Sequence, residues 1–276
     1  MIFNYKKWDE FCKDLYEAGR ISIPACEVNS SKHGYIVLKH DVETDVSRAL
    51  ELASIEHKYG HRGSYYVQAY LMNQARNIDI LKQMQKMGHE ISYHYDVMDS
   101  QKGDIDKAIV EFEDNRKLFE DNGFPIITVC QHGNPVVERV GYTSNRDFFR
   151  SDKVEKLYPD IADLMVNYKL KYHTDYIYYS DAGRRFSTIF DPINNDRVNS
   201  DDKNIKYEDL KEVFEAIQKD DNVILSTHPH RWCKSAIEYT IKNGIFRIVK
   251  STAKALLHIP GMKKLMGKYY YLAKKI

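Results

Sequence analysis

Three carboxylates crowd the end of an apolar run: Asp41, Glu43 and Asp45 in YIVLKHDVETD, residues 35–45. Side chains of a strand alternate, so Asp41 and Glu43 share one face. Two like charges behind a buried strand are costly unless a cation or several donors meet them. The pair suits a metal ligand beside a base, or the cap of a following helix; Asp45, just ahead of Ser47, fits capping. Three other stretches also run into ionisable residues: GHEISYH at 88–94, CQHG at 130–133 and STHPHRW at 226–232. Glu90, Ser92 and His94 share a face, as would His228 and His230 if their strand continued through Pro229. Acids and histidines on several neighbouring strand ends are the equipment of metal-assisted hydrolysis. His89, in a Gly-His-Glu turn, reads as a backbone-bonded structural residue. Glu90 is placed either to orient His94 through its second ring nitrogen or to form a structural ion pair.

Such residues need a scaffold that gathers strand ends. Apolar spacing at Trp8, Phe11, Cys12 and Leu15 predicts a first amphipathic helix, ending near Gly19. Strands are expected at 36–39, 64–68, 90–94, 125–130, 172–179 and 223–227. Helices are expected at 47–59, 78–87, 104–120 and 207–219, with a long irregular loop over 133–160. Strands alternating with helices predict an α/β fold with a mainly parallel sheet. Ligands of such folds sit at the carboxyl ends of strands, where the four ionisable clusters fall.

The chain of 276 residues has a net charge of +1, so bulk electrostatics select no partner. Its twenty-one tyrosines are spread out and form no nucleic-acid platform. Cys12, Cys26, Cys130 and Cys233 are scattered and read as reduced thiols of a cytoplasmic protein. The first residues, MIFNYKKWDEFCKDLY, show no secretory signal, and no stretch is apolar enough for a membrane span. The segment 241–276 contains no acid but carries nine Lys and Arg interleaved with apolar residues. It is read either as a helical cap on the main domain or as an amphipathic segment on an anionic membrane surface.

The run LKHDVETDVSRALELASIEHKYGHRGSYYV resembles the first block of the polysaccharide deacetylase superfamily (NodB-type, carbohydrate esterase family four). The closer likeness is to the branch whose first motif reads Arg-His-Asp-Val-Asp. GHEISYHYDVMD, QHGNP, YYSDAGRRF and THPHRW resemble the later blocks, in order, over about Tyr5 to Trp232. The resemblance implies a distorted (β/α) barrel of about seven strands spanning residues 1–240, with an N-terminal helix and a C-terminal extension at 241–276. It implies hydrolysis of an N-acetyl group on a sugar, assisted by one divalent metal, zinc as first choice, on an Asp and two His. Carried over, Asp41 matches the base, His94 the first ligand histidine and His228 the acid that protonates the leaving amine.

Two positions depart from the pattern. Val42 stands where the metal Asp usually follows the base, so that ligand becomes Glu43. Met98 stands where the second ligand histidine belongs, and a thioether is a poor ligand for a hard or borderline cation. His132, ending a neighbouring strand, is the replacement, with Asp96 in reserve. Asp181 is expected to pair with Arg184 or Arg185, or Arg185 to steer the base or bind an acidic substrate. His230, Arg231 and Trp232 are expected at the pocket rim, where an aromatic ring stacks on a sugar. The activity expected is N-deacetylation of a surface glycan or its precursor, in the cytoplasm or at the inner membrane face. The rivals are a glycan- or nucleotide-sugar-binding barrel without chemistry and a hydrolase of another amide or ester. Oligomeric state is left open.

Overall fold

Every residue of β1 (Ile36–Val42) is buried, polar and apolar alike. The reason is its place in the sheet, which a computed structural model describes over residues 2–134, 137–189 and 205–245. The other strands are β2 (Gly63–Val67), β3 (Glu90–Tyr95), β4 (Thr128–Gln131), β5 (Ala162–Asp163), β6 (Ile177–Ser180), β7 (Ser187–Ile189) and β8 (Val223–Thr227). They form one curled sheet of eight strands in the order β5-β4-β3-β2-β1-β8-β6-β7, parallel except for β7. This is a half-barrel of the distorted (β/α) type, with one strand more than the resemblance implies. β5 and β7 are additional to the six strands expected from the sequence pattern. The stretch read as a strand over 172–179 divides into a short helix, α7 (Tyr168–Tyr172), and β6.

The helices before it are α1 (Tyr5–Glu17), α2 (Val46–Lys58), α3 (Ala75–Lys86), α4 (Val97–Ser100), α5 (Ile105–Asp121) and α6 (Asp152–Leu157), and α8 is Leu210–Ile217. Local chemistry sets their starts. Asp45 accepts from the Ser47 amide at 3.0 Å, Asp104 from Lys107 and Asp209 from Glu212, each satisfying a first-turn N–H. None of the described helices is long and apolar enough to cross a membrane. The tail read as a basic extension lies outside the described residues from 246 onward; 236–245 is helical.

Alternation sorts β1 into two environments. Ile36 and Leu38 pack beneath α1 and α2 with Trp8 and Phe11, while Val37 faces the concave side with Tyr66, Cys130 and Ile224. Lys39 and Asp41 continue the concave face, and His40 falls on the helical side. There His40 stacks on Tyr65, ring centroids 4.2 Å apart, with Nε2 2.9 Å from Glu56 of α2. Trp8 Nε1 at 3.0 Å and the Tyr65 hydroxyl at 2.8 Å also donate to the Glu56 carboxylate, which is fully buried. Burial alone would raise the Glu56 pKa; His40 and the surrounding donors outweigh it and hold it below the ordinary value of 4.5.

Removing one partner from a buried charged cluster costs about 3–5 kcal/mol. Glu56→Ala is therefore expected to lower unfolding stability by that amount at pH 7, read by urea titration. The carboxylate's folded pKa is depressed, so its contribution is complete above about pH 4.5 and lost as pH falls through the folded value. The gap between native and variant should shrink on acidification; a gap constant down to pH 3 would count against the assignment.

Candidate active site

The carboxyl ends of β1, β3, β4 and β8 deliver the residues. Asp41 is the inward residue near the end of β1, with Glu43 just past it; His94 is inward on β3, beside Cys130 of β4. His132 follows β4 and His228 follows β8. Asp41, Glu43, His94 and His132 are all buried.

Lysine 39 is the residue the sequence reading passed over. Buried two positions before Asp41 on the same face, its Nζ sits 2.7 Å from Asp41 Oδ2, with Tyr178 and Ser226 hydroxyls at 3.3 and 3.2 Å. Burial pushes the Asp41 pKa up; Lys39 first, then His94 and His228, pull harder and leave it lowered. Asp41 therefore stands as a carboxylate whose Oδ1 has no hydrogen-bond partner among the described residues. A lysine inside a run of buried β-branched and apolar residues was the available signal.

Around Glu43 three imidazoles converge. His132 Nε2 lies 3.2 Å from Glu43 Oε1, and His94 Nε2 and His228 Nε2 each lie 3.9 Å from it. Their attraction overcomes burial and holds the Glu43 pKa well below 4.5. The tautomer of His94 follows from its partner: Nδ1 bonds the Cys130 carbonyl at 3.0 Å, and a carbonyl only accepts. Nδ1 carries the proton, leaving Nε2 as a bare lone pair that is buried and has no hydrogen-bond partner among the described residues. Burial lowers the His94 pKa against the pull of Asp41, which favours that neutral form. A lone pair aimed at a carboxylate oxygen calls for a cation between them.

Glu43, His94 and His132 offer one donor atom each, all within 4.8 Å of one another, and so fit a divalent metal. Asp41, His94 and Cys130 meet the same distance. Two histidines and a carboxylate are a usual set for a zinc that keeps an open position, so the first set is the better match. The Cys130 carbonyl fills the role of orienting His94, as outer partners of ligand histidines do. Met98 lies in the apolar cluster of Tyr95 and Phe148, away from donor duty. Asp96 Oδ2 is 4.0 Å from His132 Nδ1. His132 is tied to the sheet through its amide, which donates to the Tyr95 carbonyl of β3 at 2.7 Å, and is also held from outside it. Its carbonyl accepts from Asn145 Nδ2 at 2.8 Å, and the same amide donates to Asp99 at 2.9 Å. Arg139 grips that carboxylate through two bonds of 2.8 Å.

On the opposite flank His228 is held by Asp181. Nδ1 lies 2.6 Å from Asp181 Oδ1, and Oδ2 accepts from the His228 amide at 3.0 Å and the Thr227 hydroxyl at 2.7 Å. The remaining nitrogen, Nε2, points inward, 3.7 Å from Asp41 Oδ2. Asp181 is ionised, because Arg231 and His228 outweigh its burial and lower its pKa.

Several expectations need correcting. The arginine on Asp181 is Arg231, whose Nη1 lies 2.6 Å from both the carboxylate and the carbonyl; Arg185 instead pairs with Glu208 and donates to the Tyr207 carbonyl. Glu90 starts β3 and sits at the far end of the sheet from His94. It accepts from Ser64 at 2.6 Å, Thr128 at 2.7 Å and the Cys26 amide at 3.2 Å, so it orients no imidazole. Trp232 is 0% exposed, packs on Phe3 and Trp8, and donates Nε1 to Thr227; no sugar can stack on it. β8 ends at Thr227 and Pro229–Arg231 is a 3-10 turn, so His228 and His230 share no strand face. Their rings still lie 5.7 Å apart, and burial takes the His230 pKa down to about 3 against the pull of Glu43. The aromatic ring at the rim is Tyr70, half exposed, with its hydroxyl on the Glu43 carbonyl. His89 accepts from Gly63 and bonds the Ala53 carbonyl, a structural residue.

No protein-family model and no curated protein matches the chain. Among solved structures it is similar to the catalytic domain of a peptidoglycan N-acetylglucosamine deacetylase from Eubacterium rectale. That likeness has 13% identity and a TM-score of 0.47, covering 79% of this chain and 86% of that one. It is also similar to a mutant of the peptidoglycan deacetylase PdaC from Bacillus subtilis. There the identity is 10% and the TM-score 0.36, with 82% and 98% of the chains covered.

Two measurements probe the site. Lys39→Met leaves burial unopposed by its nearest cation, so the Asp41 carboxyl should titrate above its ordinary 3.8, followed by carbon-13 NMR; an unmoved titration would clear Lys39. Calorimetric titration with Zn²⁺ should give about one ion per chain. Glu43→Ala, His94→Ala and His132→Ala should each weaken it by more than the roughly 10–100-fold typical of outer partners. Unchanged affinity in all three would place the cation elsewhere.

Proposed function

We propose that this chain is a metal-dependent hydrolase that removes an N-acetyl group from a sugar of a surface glycan or of its precursor. The observation that carries the reading is one convergence. A three-ligand set of Glu43, His94 and His132 lies beside an ionised Asp41 and an Asp181-held His228. The sugar as substrate rests on the ordered motif blocks, and the half-exposed ring of Tyr70 gives the rim an apolar face for it.

The residues divide the work. Asp41 takes the proton of the attacking water through Oδ1, while Lys39 fixes Oδ2 and keeps the group ionised. A carboxylate this acidic is a feeble base towards free water, whose pKa is about 15.7. Glu43, His94 and His132 would hold a divalent cation, which when bound would supply the missing acidity and polarise the acyl carbonyl. His228 presents Nε2 to the same space and protonates the departing amine, with Asp181 stabilising the imidazolium and Arg231 fixing Asp181. Burial of the pocket strengthens each of these interactions.

Acetate release from a panel of N-acetylated sugars and glycans, with and without added Zn²⁺, tests the reading. Asp41→Asn should cut kcat by about 10²–10⁴-fold and leave Zn²⁺ affinity and circular dichroism unchanged. Near-normal turnover would remove Asp41 as base. Sugar binding without acetate release in any arm would favour the rival glycan-binding barrel.

A further inference from the structure

The helical segment 236–245 follows the His228–Arg231 turn and, among the described residues, is fastened to the barrel through one face. Glu238 meets Arg48 Nη2 at 3.1 Å and Lys242 at 3.3 Å, and Tyr239 is buried against Phe3. Arg48 lies in the first turn of α2, so the attachment is at the site end of the sheet. At about 100° per residue, Ile237, Ile241 and Ile245 form a stripe on another side of the helix. They are 73%, 59% and 44% exposed. Single exposed apolar residues are ordinary; three in register on one helix are an unpartnered face.

The sequence indicates the partner. All forty acids of the chain fall in residues 1–238, and none in the thirty-eight that follow. Residues 246–276 carry eight Lys and Arg, leaving thirty-three against forty acids in 1–245, so a near-neutral total conceals two opposite charges. A tail that only packed on the barrel would have no reason to exclude acids. Exclusion of acids, basic residues interleaved with Leu256, Leu257, Leu265 and Met266, and an apolar stripe leading into them suit an anionic lipid interface.

We infer that the Ile237/Ile241/Ile245 face, together with the basic residues of the sequence 246–276, seats the protein on an anionic lipid surface, with the site end of the sheet at the membrane side. The inference does not depend on the chemistry of the site. Vesicle flotation of the full chain tests it, with phosphatidylcholine alone or mixed with phosphatidylglycerol, at low and high salt. Intact protein should float with the phosphatidylglycerol vesicles and be released by salt. The combined Ile237→Ser, Ile241→Ser and Ile245→Ser variant should partition at least about tenfold less, with unchanged circular dichroism. Lys263→Glu with Lys264→Glu, which leaves the stripe intact, should also weaken binding. No flotation of intact protein, or equal flotation of the isoleucine variant, would overturn the inference. So would a dimer that the isoleucine variant dissociates without any vesicle binding, since the stripe would then face a second copy.

Discussion

An ammonium and a carboxylate 2.7 Å apart, both out of water, are the constraint around which the concave face is arranged. Buried ion pairs are poor stabilisers: desolvation consumes most of the Coulomb gain, and well-packed apolar residues usually do as well. Lys39 and Asp41 make sense only if the charge on Asp41 is wanted. Neighbours follow suit. Tyr178 of β6 and Ser226 of β8 turn hydroxyls towards the ammonium, and Ser226 is the registered partner of Lys39. The strand order, with β1 between β2 and β8, makes this cage possible.

β1 carries ionisable residues on both of its faces, and each has its own answer to desolvation. Towards the helices, His40 meets a glutamate already bonded to an indole and a phenol. Towards the barrel interior, Asp41 keeps one oxygen fixed and one open. The first arrangement satisfies the Glu56 carboxylate and holds α1 and α2 to the sheet. The second is incomplete in the way a reactive centre must be, since a saturated carboxylate accepts no proton.

Much of this was legible because strand ends announce themselves: an apolar run that meets Asp, Glu or His shows both the element and the rim it points to. β5 and β7 escaped because two and three residues carry no period. Glu90 was misread because alternation gives the face of a strand but not the height along it. Four residues on, at about 3.3 Å each, is some 13 Å from His94. Trp232 follows the His228–Arg231 turn in sequence, yet the chain reverses after that turn and its indole goes into the core. The partner of Asp181 was missed for a related reason: Arg184 and Arg185 are near in sequence, whereas Arg231 is near in space. Glu43 and His132 came out together despite Val42 and Met98, because strand ends in a parallel sheet share one rim.

Of the three proposed ligands, His94 stands on β3, Glu43 directly beyond β1 and His132 directly beyond β4, where its amide donates to the Tyr95 carbonyl at 2.7 Å and its own carbonyl accepts from Asn145. Through Asn145 and Arg139, both bonded to Asp99 of α4, the segment 139–145 is tied to that same rim. A shift of this segment would be felt at the His132 backbone, and by reciprocity whatever fixes His132 would steady the segment.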